Sequence, residues 1–381
     1  MIDNDDIDAL ISELNASGGQ ARSGDGRVQV EALLTEVIAR RGSDLFLIAG
    51  SAPGIRVDGR VERLPGPIVD GTDVEEGVIP LLPAHARRQF LESGISDASI
   101  RFQGLGRFRV NLHRERGRAA AAIRALPAKV PRLSELSLPP EVDALSSLGR
   151  GLVLIGGATG AGKTTTMAAL VAEINRRDAR HIITVEDPIE FEHQHDRCMI
   201  EQVEIGSDAP DFPTALRSAV RQAPDVLVIG EMRDHESMRI ALSAAETGHL
   251  VFSSLHTTDI ASTVARICDS FPNERQNTIR QELSLAVTAV MTQTLIPKVG
   301  GGRTPAVELL MVSYGARQHI RKNALQHLHQ EMSLTRKQGS VTLEDSLARL
   351  VKAGLITHAD AIMRAGHPDE LESILKPSSS G

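Results

Sequence analysis

The chain has 381 residues, of which 41% are hydrophobic and 24% charged, and this length predicts two or three domains with packed cores. Its formal net charge of −7, with eight Phe, one Tyr and no Trp, argues against a nucleic-acid partner, which needs basic surfaces and aromatic stacking. The two cysteines form no CxxC pair, the N-terminus is acidic, and no apolar run reaches about 18 residues. These features predict a cytoplasmic protein without disulfides, signal peptide or transmembrane segment.

Residues 1–27 are expected to form a flexible acidic tail. Its hydrophobic residues fall at helical spacing on one face (Ile7, Leu10, Ile11 and Leu14), and a Gly- and Ser-rich stretch follows. Two interpretations remain open, a docking helix on a tether and an idle terminus.

Residues 28–125 predict a smaller α+β domain. Helical patterns cover about 30–38 and 83–92, and Asp58-Gly59 between alternating segments predicts a tight hairpin. Three further strands are predicted at Ala98–Phe102, Arg107–His113 and Ala119–Arg124. The Pro- and Leu-rich residues 126–149 are expected to be an ordered linker.

From residue 150 to 376 the pattern changes to alternating strands and helices. The apolar runs GLVLIG, HIITV, VLVIG and LVFSSL are short and continuous, as in strands covered on both faces. Helical stretches separate them, and helical patterns are predicted to continue through about 258–296 and 341–375. The alternation predicts a parallel sheet flanked by helices.

The segment GATGAGKT predicts a phosphate-binding loop. It fits the spacing G-x-x-x-x-G-K-[ST], with a strand before it and a helix after it. Glycines let backbone N–H groups surround phosphate oxygens, Lys163 would reach the β- and γ-phosphates, and Thr164 would ligate Mg²⁺. The residues predicted to bind ATP are Gly157, Ala158, Thr159, Gly160, Ala161, Gly162, Lys163, Thr164 and Thr165.

Acidic clusters follow two of the predicted strands, at residues 186–190 and 231–234. Ligands gather at the carboxyl ends of parallel strands, so one carboxylate could hold Mg²⁺ and another could polarise water. Acids also commonly follow strands as solvated loop starts. His249 and His256 bracket LVFSSL, and the residues alone leave a γ-phosphate sensor, a switch and a structural role equally open.

Together, GATGAGKT, TVEDPIE, VLVIGEMRD and AAETGHLVFSSLHTT resemble the secretion ATPases of the GspE/PilB/PilT superfamily, within it the PilT/PilU-type retraction ATPases of type IV pili. The resemblance covers about residues 28–376. It implies a RecA-like P-loop C-terminal domain, a smaller α+β PAS-like N-terminal domain, and a hexameric ring that hydrolyses ATP.

By position, the resemblance assigns water activation to Glu190 and Mg²⁺ binding to Glu231, and it places His249 and His256 in a histidine box. It also implies that N-terminal arginines stabilise charge on the γ-phosphate. The matching arginines are Arg107, Arg109 and Arg124.

The resemblance implies a motor for pilus retraction and twitching motility, peripheral at the inner membrane, with a platform protein and possibly a paralogous ATPase as partners. Two cysteines cannot build the tetracysteine zinc insertion of assembly and type II secretion relatives, which favours retraction. GARQHIRK keeps only part of the retraction motif AIRNLIRE, so an accessory PilU-like ATPase remains open, and an assembly or secretion ATPase is less favoured. A nucleic-acid translocase and an idle ring partner are further hypotheses, and the intact acidic clusters argue against the second.

Overall fold

The structure is a computed structural model that describes residues 29–376, so the expected tail of residues 1–27 lies outside the described part. It contains two compact units. The first comprises residues 29–128 together with two short segments, Pro188–Phe191 and Gly206–Asp208, and the second comprises the other described residues.

The first unit is built on one antiparallel sheet of six strands in the order β3-β2-β1-β6-β5-β4. Its elements are α1 (Val30–Ala39), β1 (Asp44–Ile48), β2 (Gly54–Val57), β3 (Arg60–Arg63), α2 (Gly71–Val78), α3 (Ala84–Ser93), β4 (Ile95–Phe102), β5 (Gly106–Glu115) and β6 (Arg118–Ala125).

Buried and partly exposed side chains alternate along β5, which distinguishes the two faces of this sheet. Phe108 and Val110 are fully buried in the core with Phe90 of α3, whereas Arg107 and Arg109, which alternate with them, belong to the polar face. The predicted hairpin is confirmed, because β2 pairs with β3 across Asp58 and Gly59, whose φ values are 48° and 81°.

The second unit contains a seven-stranded sheet in the order β13-β12-β7-β11-β10-β8-β9, parallel except for β13. Its elements through the sheet are β7 (Gly151–Gly156), α4 (Lys163–Arg177), β8 (His181–Glu186), β9 (Met199–Glu204), α5 (Phe212–Ala219), β10 (Val226–Ile229), α6 (His235–Glu246), β11 (Leu250–Leu255), α7 (Ile260–Asp269), α8 (Asn273–Ala286), β12 (Val287–Pro297) and β13 (Arg303–Met311).

Separate hydrophobic clusters cover the two faces of this sheet. Leu152 and Leu154 of β7 pack in one cluster, and Val153 and Ile155 pack in the other. Burial on both faces explains the continuous apolar runs in the sequence.

Five helices follow the sheet: α9 (Tyr314–Arg321), α10 (Leu328–Leu334), α11 (Leu343–Lys352), α12 (His358–Arg364) and α13 (Pro368–Leu375). Leu347 and Leu371 of this group pack on Ile296 of β12 and Ala306 of β13. No helix between residues 29 and 376 combines the length and apolarity that a membrane crossing requires.

The helical pattern predicted through residue 296 is wrong beyond Ala286, where α8 ends and β12 begins. β12 lies beside β7 and is buried on both faces, so its sequence VTAVMTQTLI has no period-2 alternation. A continuous apolar run of this kind cannot be told from a buried helix by periodicity.

The segment expected to be an ordered linker contains two 3₁₀ helices, Leu133–Glu135 and Pro140–Ser147. Val142 and Leu145 are fully buried and pack in the same cluster as Val153 of β7 and Leu170 of α4. Much of this segment is therefore part of the core of the second unit.

We expect Leu145→Ala to lower the free energy of unfolding by about 2–5 kcal/mol, because it leaves a cavity in a closed core. Leu334→Ala is the matched control, since Leu334 is 69% exposed and loses little burial. Urea unfolding of both variants measures the difference, and equal stabilities would contradict the placement of this segment in the core.

Candidate nucleotide site

The phosphate loop joins β7 to α4, and its glycines are required by space as well as by conformation. Gly160 and Gly162 have φ values of 77° and 87°. A Cβ on Gly157 would lie 2.7 Å from the carbonyl oxygen of Gln293, and one on Gly162 would lie 2.8 Å from Gln293 Nε2. Side chains at these positions would force the loop away from β12.

Lys163 is the first residue of α4 and is only 7% exposed. Its Nζ donates hydrogen bonds to Gly157 O at 2.8 Å and Ala158 O at 3.1 Å. The N-cap of α4 is Gly162, which has no side chain to cap the first backbone N–H groups. A buried ammonium group beside these N–H groups makes the loop a fitting place for an anion.

Gln293 of β12 fixes the loop to the sheet. Its Nε2 donates to Ala161 O at 2.7 Å, and its Oε1 accepts from Thr166 Oγ1 of α4 at 2.8 Å. Gln293 is 5% exposed, so both hydrogen bonds are protected from water. No motif in the sequence marks Gln293, and its segment was predicted to be helical, whereas it is a strand.

Glu231 and His256 meet beside the loop. Glu231 follows β10 and His256 follows β11, and these strands are parallel neighbours. His256 Nε2 lies 3.2 Å from Glu231 Oε2, and His256 Nδ1 lies 3.5 Å from the hydroxyl of Thr159 in the loop. The carboxyl ends of three adjacent strands therefore converge at one place, as expected for a ligand site in a parallel sheet.

Glu231 is also ion-paired with Arg233, whose Nη2 lies 2.6 Å from Glu231 Oε1, and the glutamate side chain is 15% exposed. Asp234, in the same acidic cluster, caps α6 instead, because its carboxylate accepts from Ser237 N at 2.8 Å and Ser237 Oγ at 2.7 Å. Of these two acids, Glu231 is the one at the loop.

His249 lies at the opposite end of β11 from His256, about 20 Å away along the strand. Its Nδ1 is 2.9 Å from Ala244 O, in the last turn of α6, and 3.3 Å from the hydroxyl of Thr247. The two histidines of the predicted box therefore occupy different edges of the sheet, and only His256 is beside the phosphate loop of its own chain.

The other residues predicted to be catalytic, Glu190 and the three arginines, belong to the first unit. Arg109 and Arg124 are cross-strand partners on β5 and β6, Arg124 Nε lies 2.7 Å from Asp44 Oδ1, and Arg109 Nη2 lies 3.4 Å from Asp97 Oδ1. Glu190 lies in the segment Pro188–Phe191 of the same unit.

The third arginine is adjacent to the segment that carries Glu190. Arg107 Nη1 donates to Ile189 O at 2.8 Å, one residue before Glu190. The side chain of Arg107 is therefore hydrogen-bonded to the backbone immediately before Glu190, within the first unit.

Glu308 of β13 is a further carboxyl group in this unit that the sequence motifs do not mark. It accepts hydrogen bonds from Ile260 N and Thr292 Oγ1, both at 3.2 Å. Burial raises its pKa to about 7, since the two hydrogen bonds compensate only part of the desolvation. Glu308 lies one strand beyond the loop-fixing residue Gln293, and no motif in the sequence marks it.

Comparison with known proteins gives the family. Residues 139–362 match the family model "Type II/IV secretion system protein". The chain is 40% identical over 340 residues to "Type IV pilus retractation ATPase PilT" of Pseudomonas aeruginosa, covering 88% of this chain and 99% of that protein. The chain belongs to this family. It is an ATPase of the PilT/PilU type, as the sequence motifs predicted.

Two further relatives support the assignment. "Type IV pilus ATPase PilU" of P. aeruginosa is 36% identical over 350 residues, covering 92% of each chain. The crystal structure described as "the Pilus Retraction Motor PilT and Bound ADP" superposes with a TM-score of 0.83 at 40% identity and covers 91% of this chain and 100% of that one. The predicted fold class, a RecA-like C-terminal domain with a smaller α+β N-terminal domain, is confirmed.

We expect Gln293→Ala to raise the Michaelis constant for ATP by loosening the phosphate loop. The substitution leaves Ala161 O and Thr166 Oγ1 without a buried partner, which costs about 1–3 kcal/mol and loosens the loop. The Michaelis constant for ATP should rise about 10-fold or more. Thr294→Ala, at the exposed next position on β12, is the control. Equal kinetics of the two variants would contradict the role of Gln293.

Proposed function

We propose that this chain is a motor ATPase that powers retraction of a type IV pilus and so supports twitching motility. The observation that carries the proposal is the convergence of the phosphate loop, Glu231 and His256 in one ATPase unit. Similarity to a retraction ATPase over nearly the full length of both chains supports a type IV pilus as the structure on which this motor acts.

ATP is the substrate, and the loop would bind its phosphates. The buried Lys163 ammonium and the N–H groups at the start of α4 provide positive charge for these phosphates. The residues proposed to hold Mg²⁺ are Thr164, in the first turn of α4, and Glu231. Their hydroxyl and carboxylate oxygens are the hard ligands that this ion prefers. Mg²⁺, when bound, would neutralise charge that develops on the phosphates.

Glu190 is proposed to orient the attacking water and to accept its proton. His256 contacts both the loop and Glu231, so it is proposed to hold this carboxylate in place and to sense the state of the loop. We propose that Arg107, Arg109 and Arg124 add positive charge at the γ-phosphate.

His249 is assigned a different role from the one that the family resemblance implied. Its hydrogen bonds lie at the C-terminal turn of α6, away from the loop of the same chain. We therefore propose that His249 holds α6 against β11 and affects ATP turnover only through that packing.

The proposed assembly is a homohexamer at the cytoplasmic face of the inner membrane, acting on a platform protein of the pilus machine. Ring assembly would let nucleotide-dependent movements of one chain act on the next. An accessory role beside a paralogous ATPase is the second candidate, favoured by 36% identity to a PilU protein over 92% of each chain.

The two arginines kept from the retraction motif have structural contacts. Arg317 Nη1 donates to Leu285 O at 2.8 Å and so caps the C-terminal end of α8. Arg321 Nη2 donates to the side chain of Ser284 in the last turn of the same helix, at 3.3 Å from its Oγ. Their presence therefore fits either candidate, and only an assay in cells separates the two.

We expect Lys163→Ala to abolish ATP hydrolysis. Glu231→Ala and Glu190→Ala should each reduce turnover at least ~100-fold while nucleotide binding is largely kept, because each removes a positioned charge or proton acceptor. Glu236→Ala, which removes an exposed carboxylate from α6, is the control. Steady-state kinetics and binding of a fluorescent ATP analogue measure both effects, and near-normal turnover in both carboxylate variants would refute the assignment.

Deletion of the gene for this chain tests whether the motor retracts a type IV pilus or assembles one. Retraction predicts more surface pili and lost twitching, whereas loss of pili would indicate assembly. Expression of this chain alone in a strain without other retraction ATPases separates the two candidates: restored twitching indicates an autonomous motor, and restoration only with the paralogue indicates an accessory one.

A further inference from the structure

Four potential metal ligands meet among the C-terminal helices, and none of the four belongs to the sequence motifs. They are His329 of α10, Glu344 of α11, His367 at the N-cap of α13 and Glu370 of α13. One side-chain nitrogen or carboxylate oxygen from each lies within 4.8 Å of the others. Three separate helices thus bring two imidazoles and two carboxylates to one point.

Glu344 is the most unusual member of this cluster, because it is 1% exposed. Its Oε1 accepts a hydrogen bond from His367 N at 2.8 Å, but its Oε2 is buried and has no hydrogen-bond partner in residues 29–376. A buried carboxylate oxygen without a partner is costly, and native proteins normally supply a donor or a cation. This oxygen therefore favours a bound donor or cation beside Glu344.

The two histidines are arranged to share that ligand. Their rings stack with centroids 3.9 Å apart at an angle of 27°. His329 Nε2 lies 3.0 Å from Glu370 Oε2, and His367 Nδ1 lies 3.7 Å from Glu344 Oε1. Stacking of the rings therefore brings both imidazoles to the same side of the carboxylates, where they can share one ligand.

We propose that His329, Glu344, His367 and Glu370 bind one Zn²⁺ ion, or a similar first-row divalent cation. Two imidazole nitrogens and two carboxylate oxygens form a suitable four-ligand set for zinc, whereas Mg²⁺ and Ca²⁺ prefer oxygen ligands alone. Ligands of a tetrahedral zinc lie roughly 3.3 Å apart, for bonds of about 2.0–2.1 Å. Closing the cluster from its present spacing needs only small side-chain movements.

A second set of contacts supports the ligands from outside. Arg336 Nη2 lies 2.7 Å from Glu370 Oε1, and its Nε lies 2.7 Å from Asp345 Oδ2. Arg336 therefore holds one oxygen of Glu370 and leaves the other, Oε2, for the ion. Hydrogen bonds of this kind orient the carboxylate ligands of metal sites.

A metal-free network of hydrogen bonds is the alternative explanation. It accounts for the pair His329–Glu370, but it leaves Glu344 Oε2 buried without a donor. The cation accounts for both observations with the same four residues.

The ion would join three C-terminal helices to one another beside the ATPase sheet. A cavity of about 180 Å³ is lined by His329, Glu344 and His367 and also by Gln293 and Thr292 of β12. Metal binding would rigidify α10, α11 and α13 behind the strand that fixes the phosphate loop. The expected effect is structural, so it is visible without nucleotide.

The test is a Zn²⁺ titration of the full chain, stripped with a chelator and free of nucleotide. We expect one site per chain by isothermal titration calorimetry and a rise in melting temperature with Zn²⁺. His367→Ala should weaken binding at least ~100-fold; its side chain is 54% exposed, so folding is spared. His358→Ala is the matched control, since His358 of α12 pairs with Glu372 of α13 outside the cluster and its loss should leave zinc affinity unchanged.

A second variant, Glu344→Gln, keeps the shape of the buried side chain and removes its charge, and we expect a similar loss of affinity. Circular dichroism of each variant checks the helices, and Co²⁺ in place of Zn²⁺ reports four-coordination by its visible absorption. The proposal is overturned if the wild-type chain binds no Zn²⁺, if His367→Ala and Glu344→Gln bind it as tightly as wild type, or if Mg²⁺ competes at equal concentration.

Discussion

The hydrogen bonds of Gln293 to Ala161 O and Thr166 Oγ1 are the interaction on which the nucleotide site depends. A loop rich in glycine has many conformations, and only one of them directs its N–H groups inward. Gln293 selects that conformation from the neighbouring strand, and its own backbone occupies the space that a side chain on Gly157 would need. The loop sequence and β12 are therefore fitted to each other.

The parallel sheet supplies the other half of the site. Because β7, β11 and β10 run side by side in one direction, the residues after each strand arrive at the same edge. This places Thr159, His256 and Glu231 in a continuous chain of contacts. Burial of the strands on both faces keeps this edge rigid, since the side chains beneath it belong to two closed hydrophobic clusters.

β12 links this site to the C-terminal helices. It carries Gln293 on the loop side, and its Ile296 packs with Leu347 and Leu371 in the core of those helices. The proposed metal cluster lies on the same cavity as Gln293. The packing of the C-terminal helices is thus connected through β12 to the conformation of the phosphate loop.

The sequence alone determined the phosphate loop, the Asp58-Gly59 hairpin and the strands that precede the loop and the acidic clusters. These features depend on the spacing and the positive φ values of a few consecutive residues. Tertiary structure alone decided which polar residues act together. Glu231 and Asp234 are three residues apart, yet one is at the loop and the other caps a helix. His249 and His256 bracket one strand and so lie at opposite edges of the sheet. Gln293 bonds to Ala161, 132 residues away in the sequence, and Glu308 bonds to Ile260, 48 residues away. The four proposed metal ligands come from three helices, so no local pattern could mark any of these residues.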